Sequence, residues 1–172
     1  MKKLLLLLIV AGSVVLTSCK KDETSTEPTA AKDPIIGTWI STGTNVAPLL
    51  NTIFAAVGGI DTVYATFNEN NTYLVKQVNK NRTSLTYEGT YTLTKSTNID
   101  IHKISIIQTK PSAATNEGIY QINTTASPNT MKYEVVLMSG TQNVAPTPNA
   151  GFGSTNGGVF GTTNVQNYVK KN

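Results

Sequence analysis

Residues with reactive side chains are scarce in this 172-residue chain, which has one cysteine (Cys19), one histidine (His102) and one arginine (Arg82). A single cysteine excludes an internal disulfide framework, and one cysteine with one histidine cannot supply the ligands of a zinc site. A Ser-His-Asp arrangement would depend on His102, and the chain has no G-x-S-x-G, H-E-x-x-H, P-loop or dinucleotide-binding glycine motif. The sequence therefore predicts a protein that is not an enzyme and that uses no metal or cofactor.

Acidic residues that could form a catalytic pair are also few. Glu88, Asp100, Glu117 and Glu134 fall in different predicted strands. A glycosidase would need two such carboxylates at a defined separation across its substrate, and a sequence cannot establish that separation. We expect each of the four to lie solvated on an outer face of a sheet.

Charge is sparse as well, since Asp, Glu, Lys and Arg make up only 14% of the chain and the net charge is +4. The lysines are mostly scattered singly, which is unlike the basic patch of a nucleic-acid-binding protein, so no nucleic-acid partner is predicted. The apolar residues, 39% of the chain, occur in short runs that suit one domain with a core of moderate size. Abundant Thr and Asn favour strands and turns over helices.

The N-terminus has the pattern of a secretory signal. Lys2 and Lys3 precede an apolar run from Leu4 to Val10, which continues through Ala11 to Leu16. The residues Leu16-Thr17-Ser18-Cys19 resemble a bacterial lipobox, in which the cysteine is acylated and becomes the new N-terminus. The resemblance implies a signal peptide at 1–18 and a lipid membrane as partner through acylated Cys19, with several acyl chains giving stable anchoring. The alternative is an ordinary signal with an incidental cysteine.

The residues after Cys19 bear on where such an anchor would reside. A Lys rather than an Asp at position 20 fits release to the outer membrane, and Lys20-Lys21-Asp22-Glu23 resembles a surface-export signal of some Gram-negative lipoproteins. A charged start to a linker is the alternative, so the periplasmic and cell-surface faces both stay open. Residues 19–33 are predicted to be a flexible tether, because they contain little to bury.

From residue 34 onward the chain alternates apolar and polar residues, with turn residues between the alternating segments. Eight segments have this strand pattern: 35–40, 61–67, 72–78, 84–94, 99–109, 117–123, 131–138 and 164–170. Gly89 predicts a bend inside the fourth segment, and a change of phase at His102-Lys103 predicts a bulge in the fifth. One short amphipathic helix is predicted between Asn45 and Gly59, either as a lid or as a simple cap. The fold class is therefore all-β: an antiparallel, up-and-down barrel of about eight strands over residues 34–172.

The first strand carries the only tryptophan, in Gly37-Thr38-Trp39. These residues resemble the first-strand G-x-W motif of the lipocalins and lipocalin-like bacterial lipoproteins. The resemblance implies structural roles for Gly37 and Trp39, with Trp39 plugging the closed end of the barrel, and a small apolar or amphipathic ligand. Lys170 occupies the place near the last strand where the family prefers an arginine.

Two functions follow from the predicted barrel. In the first, its interior binds a small hydrophobic molecule, because tyrosines among aliphatic residues can offer hydroxyl groups within an apolar wall. The candidate ligand-binding residues are Leu85, Tyr87, Tyr91, Leu93, Tyr133, Val135 and Leu137. In the second, the same residues form a solid core, and loops such as the Gly-rich segment 140–161 contact a protein or a glycan. The sequence identifies no protein partner.

Overall fold

The structure is a computed structural model that describes residues 32–172. The predicted signal peptide, the predicted lipidation site Cys19 and the predicted tether up to residue 31 lie outside the described residues. The structure describes the last two residues of the predicted tether, Lys32 and Asp33, and both form ion pairs with residues of the barrel domain. The Lys32 ammonium lies 2.5 Å from a Glu69 carboxylate oxygen, and Asp33 pairs with Lys95 at 2.9 Å.

The described chain forms a closed barrel in which consecutive strands pair antiparallel, from β1 to β8. The last strand closes the sheet against the first, with Trp39 opposite Lys170 and Ile40 opposite Val169. The strands are β1 (Gly37–Thr42), β2 (Ile60–Phe67), β3 (Thr72–Asn79), β4 (Ser84–Thr94), β5 (His102–Lys110), β6 (Ala114–Asn123), β7 (Thr130–Leu137) and β8 (Gln166–Lys170). The predicted eight-stranded, up-and-down barrel is confirmed.

The predicted helix is present but shorter than its sequence pattern. One α-helix, α1 (Pro48–Ile53), follows β1, and short 3₁₀ turns flank it at Gly43–Asn45 and Ala55–Val57. Pro48 opens α1, where its missing N–H leaves no intrahelical hydrogen bond unmade. Leu50 and Phe54 pack against the barrel core. We call this end of the barrel the helix end and the opposite end the Trp39 end.

Aromatic side chains fill the Trp39 end. Trp39 is fully buried, and its indole N–H donates a 2.7 Å hydrogen bond to the carbonyl oxygen of Ile35. The Lys170 ammonium lies 5.1 Å from the centroid of the Trp39 ring and donates to the carbonyl oxygen of Pro34 at 2.8 Å. Phe67 and Tyr91 meet edge to face at 5.2 Å. The single tryptophan and the lysine near the C-terminus therefore close this end together.

Gly37 and Gly89 each lie where a side chain would be unfavourable, Gly37 mainly because of its backbone conformation and Gly89 because of a close backbone neighbour. Gly37 has φ +122°, and a Cβ there would lie 3.1 Å from Cε of Lys170. A Cβ at Gly89 would collide with the carbonyl oxygen of Ile107. The β4–β5 register shifts between Glu88 and Gly89, which agrees with the predicted bend.

The bulge predicted at His102-Lys103 is wrong. The β5–β6 pairing runs without a shift from His102, the first residue of β5. Ile99 and Ile101 differ in phase from Ile104 and Ile106 because they precede the strand and are not constrained by its pleat.

The long segment between β7 and β8 packs on the outside of the barrel around one buried acid. Glu134 faces outward from β7, since its neighbours Tyr133 and Val135 both line the interior. Its carboxylate accepts hydrogen bonds from the Gly153 N–H at 2.6 Å, the Thr155 N–H at 3.1 Å and the Thr155 hydroxyl at 2.5 Å. Glu134 and Thr155 are both fully buried. The expectation that Glu134 is solvated is therefore wrong, because the Gly-rich segment covers it.

Candidate functional site

A cavity of about 280 Å³, partly open to solvent, lies in the barrel interior toward the helix end. Its walls come from most of the strands, from α1 and from the segment before β8. The lining residues are Ala47, Leu50, Phe54, Val63, Tyr73, Val75, Gln77, Tyr87, Ile106, Gln108, Asn116, Tyr133, Val135, Asn164, Gln166 and Tyr168. An eight-stranded barrel can hold one small ligand, and this volume is near the lower end of the range for ligand pockets.

The structure brings three of the seven candidate binding residues together at this cavity, namely Tyr87, Tyr133 and Val135. The remaining four lie elsewhere on the same strands. Leu85 and Leu137 are near the helix end, and neither lines the cavity. Leu85 is 37% exposed and Leu137 is 41% exposed. Tyr91 is buried in the core, and Leu93 packs against that core.

Depth along the barrel separates Tyr87 from Tyr91. Both point inward from β4, but Tyr91 lies about 13 Å further along the strand at about 3.3 Å per residue. There its hydroxyl donates a 2.9 Å hydrogen bond to the carbonyl oxygen of Asn68. Tyr91 therefore belongs to the Trp39 end, and Tyr87 belongs to the cavity.

Sequence reasoning missed the polar half of the cavity. Five carboxamides line it: Gln77, Gln108, Asn116, Asn164 and Gln166. Four of these lie on strands at inward positions, where an alternating pattern predicts apolar residues. The sequence feature that could have revealed them is a glutamine or asparagine in phase with the apolar face of a strand. Gln77, two residues after Val75, is an example.

The cavity carries no formal charge at neutral pH. Within the described part of the chain, no Asp, Glu, Lys, Arg or His side chain lines it. Burial raises the pKa of Tyr73 to about 12 and also raises the pKa values of Tyr87 and Tyr133. These phenols therefore stay protonated and can donate hydrogen bonds.

Two glutamines of the cavity are equally buried but differ in their hydrogen bonds. Gln77 and Gln166 are each 4% exposed. The Gln77 amide Nε2 donates to Oδ1 of Asn79 at 2.8 Å. The Gln166 Nε2 has no hydrogen-bond partner among residues 32–172. Gln166 lines the cavity, and its amide nitrogen therefore retains donor capacity there.

The single histidine lies away from this cavity, in a polar cluster at the Trp39 end. The Lys95 ammonium pairs with Asp33 and donates to the Tyr120 hydroxyl at 2.9 Å. His102 meets the Tyr120 ring edge to face at 5.5 Å, and its Nδ1 accepts a hydrogen bond from the Ser96 N–H. Burial and the nearby Lys95 charge lower the pKa of His102. Both contacts of the imidazole are thus structural.

No protein-family model matches this sequence, and no curated protein or solved structure matches it either. Residues 32–172 contain no group of three or more His, Cys, Asp or Glu side chains that could hold a metal ion. No helix in that part of the chain is long and apolar enough to cross a membrane. The functional argument therefore depends on the cavity.

Proposed function

We propose that this barrel binds a small apolar or amphipathic molecule in the cavity at its helix end. The observation that carries the proposal is the 280 Å³ space among Tyr87, Tyr133, Tyr168 and aliphatic residues. A barrel with a solid core, which is the interaction-module alternative, would fill this space with side chains at the packing density of protein interiors. The cavity therefore favours ligand binding over that alternative.

Binding without chemical conversion is the second part of the proposal. The described walls of the cavity offer phenols, carboxamides and hydrocarbon groups, none of which is a strong acid, base or nucleophile near neutral pH. A ligand would therefore be held and released unchanged.

Ligand binding can be tested with a soluble form of the chain that begins at Lys20. All eight strands lie within residues 37–170, so this form retains the closed sheet. We expect saturable, one-to-one binding of an uncharged, environment-sensitive naphthalene dye. Native mass spectrometry of the freshly purified protein is expected to show an added mass from a retained molecule. A bare mass together with no dye binding would contradict the proposal.

A larger side chain in the cavity should block the dye. Val75 points inward and lines the cavity, whereas its neighbour Leu74 points outward and is 40% exposed. Val75→Phe is expected to weaken dye binding at least tenfold, about 1.4 kcal/mol. Because space is available, its effect on stability should stay below the roughly 1–3 kcal/mol of an overpacked core. The matched control Leu74→Phe should bind the dye normally, and equal loss in both variants would argue against this location.

We also propose that acylated Cys19 anchors the protein to the outer membrane. The support is the signal-like segment 1–18, the lipobox-like residues before Cys19 and the Lys at position 20. In Gram-negative cells the full chain is expected to incorporate a labelled fatty acid and to fractionate with outer membranes, whereas Cys19→Ala should incorporate none. Equal labelling of the two proteins would refute the anchor. Protease treatment of intact cells then distinguishes the cell-surface face from the periplasmic face.

A further inference from the structure

We infer that the ligand of this cavity is uncharged and presents a hydrogen-bond acceptor, such as a carbonyl oxygen, to the Nε2 amide of Gln166. This inference rests on the proposed ligand-binding function and specifies the class of molecule. It depends on three features: the free amide of Gln166, the absence of charge in the described cavity wall, and the small volume.

The free amide is unusual because buried polar groups in proteins are nearly always hydrogen-bonded. Only two side-chain atoms of the described residues are buried without a partner, Nε2 of Gln166 and Oγ of Ser41, and Ser41 does not line the cavity. Gln166 lies opposite Tyr133 across the β7–β8 pair, and both residues line the cavity. A ligand acceptor at this point would satisfy the amide.

Tyr168 is a neighbour that could compete for this amide. Its hydroxyl is close enough that the Gln166 side chain lowers its pKa, against the larger increase caused by burial. The geometry does not make this contact a hydrogen bond from Nε2. An amide nitrogen also carries two N–H groups, so one contact to Tyr168 would still leave a donor for a ligand.

The charge of the ligand follows from the cavity wall. A carboxylate or an ammonium group would lose its hydration on entry and would meet no opposite charge among the described lining residues. A neutral carbonyl loses less hydration and gains donors from Gln166 and from the protonated tyrosines. The wall therefore favours an amide, ester, ketone or similar neutral group over a carboxylate of the same length.

The volume limits the size of the ligand. A cavity of about 280 Å³ equals about nine water molecules at about 30 Å³ each. This suits a medium-length linear chain or a small bicyclic molecule. Octanamide and octanoate are therefore suitable probes, because they share one shape and differ in charge.

The test is displacement of the naphthalene dye from the soluble form by octanamide and by octanoate at neutral pH. We expect octanamide to compete at least tenfold better. Lowering the pH toward about 4.5, near the ordinary pKa of a carboxyl group, should improve competition by octanoate and leave that by octanamide unchanged. If octanoate competes equally or better at neutral pH, or if neither displaces a bound dye, the inference is overturned while the cavity remains a binding site. Failure of the dye itself to bind, together with a bare mass, would instead refute the proposed function.

Two matched variants test the role of Gln166 itself. Gln166→Leu should weaken octanamide binding at least fivefold more than it weakens dye binding. Its midpoint temperature of unfolding should fall less than that of Gln77→Leu, which removes a made hydrogen bond to Asn79. Unchanged octanamide affinity in Gln166→Leu would overturn the assignment of the acceptor site.

Discussion

Replacing Trp39 with alanine is expected to lower the free energy of unfolding by about 3–5 kcal/mol, the usual cost of deleting a buried Trp. The indole is fully buried, so the variant leaves a cavity at the Trp39 end. It also leaves the carbonyl oxygen of Ile35 without its 2.7 Å donor and removes the ring beneath the Lys170 ammonium. A loss of this size is a large part of the roughly 5–15 kcal/mol that holds an ordinary domain folded.

The measurement is urea denaturation followed by far-ultraviolet circular dichroism, since the variant has no tryptophan fluorescence to follow. Trp39→Phe is the matched control. It retains a ring for packing and for Lys170 but loses the indole N–H, so we expect an intermediate loss of stability. A change below about 1 kcal/mol in Trp39→Ala would be typical of a surface position rather than a plug.

The architecture could be predicted because its determinants are local. Period-two alternation such as Leu85-Thr86-Tyr87 specifies a strand with one inward face, and Asn-rich segments such as 68–71 specify the turns between strands. The range predicted for the fourth strand, 84–94, agrees with β4 as observed. Antiparallel strands joined by mostly short turns leave few arrangements, and closure removes the edges that an open sheet would expose.

The cavity could be predicted only in part, because its position depends on which part of the barrel interior is occupied by packed side chains. Tyr87 and Tyr91 have the same phase and the same chemistry, yet only Tyr87 lines the cavity. Tyr91 is enclosed by Phe67 and by the carbonyl oxygen of Asn68, which are distant in sequence. Nothing within β4 indicates those neighbours.

The burial of Glu134 could not be predicted for the same reason. Its place on β7, between inward Tyr133 and Val135, correctly indicates an outward side chain. Whether an outward side chain meets water depends on what covers the sheet, and the cover here is a Gly-rich segment about twenty residues further along the chain. The sequence predicts only that 140–161 is a Gly-rich loop that could contact a partner. The hydrogen bonds from Gly153 and Thr155 to Glu134 favour packing.

Removing the Glu134 carboxylate should have an effect comparable to that of Trp39→Ala. Glu134→Ala leaves three donors without an acceptor: the half-buried N–H group of Gly153 and the buried N–H group and hydroxyl of Thr155. An orphaned buried donor costs about 1–3 kcal/mol, and such costs do not add fully, so we expect a loss on the order of 3–5 kcal/mol. Glu134→Gln retains the shape but turns an amide NH₂ toward one of these donors, and its loss should be about 1–3 kcal/mol.

The control for Glu134 is Glu117, a second outward glutamate on the neighbouring strand β6. Glu117 pairs with Lys103 at 2.8 Å, but 38% of its side chain is exposed, so Glu117→Gln should cost at most about 1 kcal/mol. Hydrogen exchange gives the local readout, because the Gly153 and Thr155 amides should lose protection in Glu134→Gln and keep it in Glu117→Gln.

The Thr155 hydroxyl also accepts a 3.2 Å hydrogen bond from Asn164, which lines the cavity. Release of the Gly-rich segment should therefore also change dye affinity in the Glu134 variants. If amide protection and dye affinity are the same in the Glu134 and Glu117 variants, the buried carboxylate does not hold the segment in place.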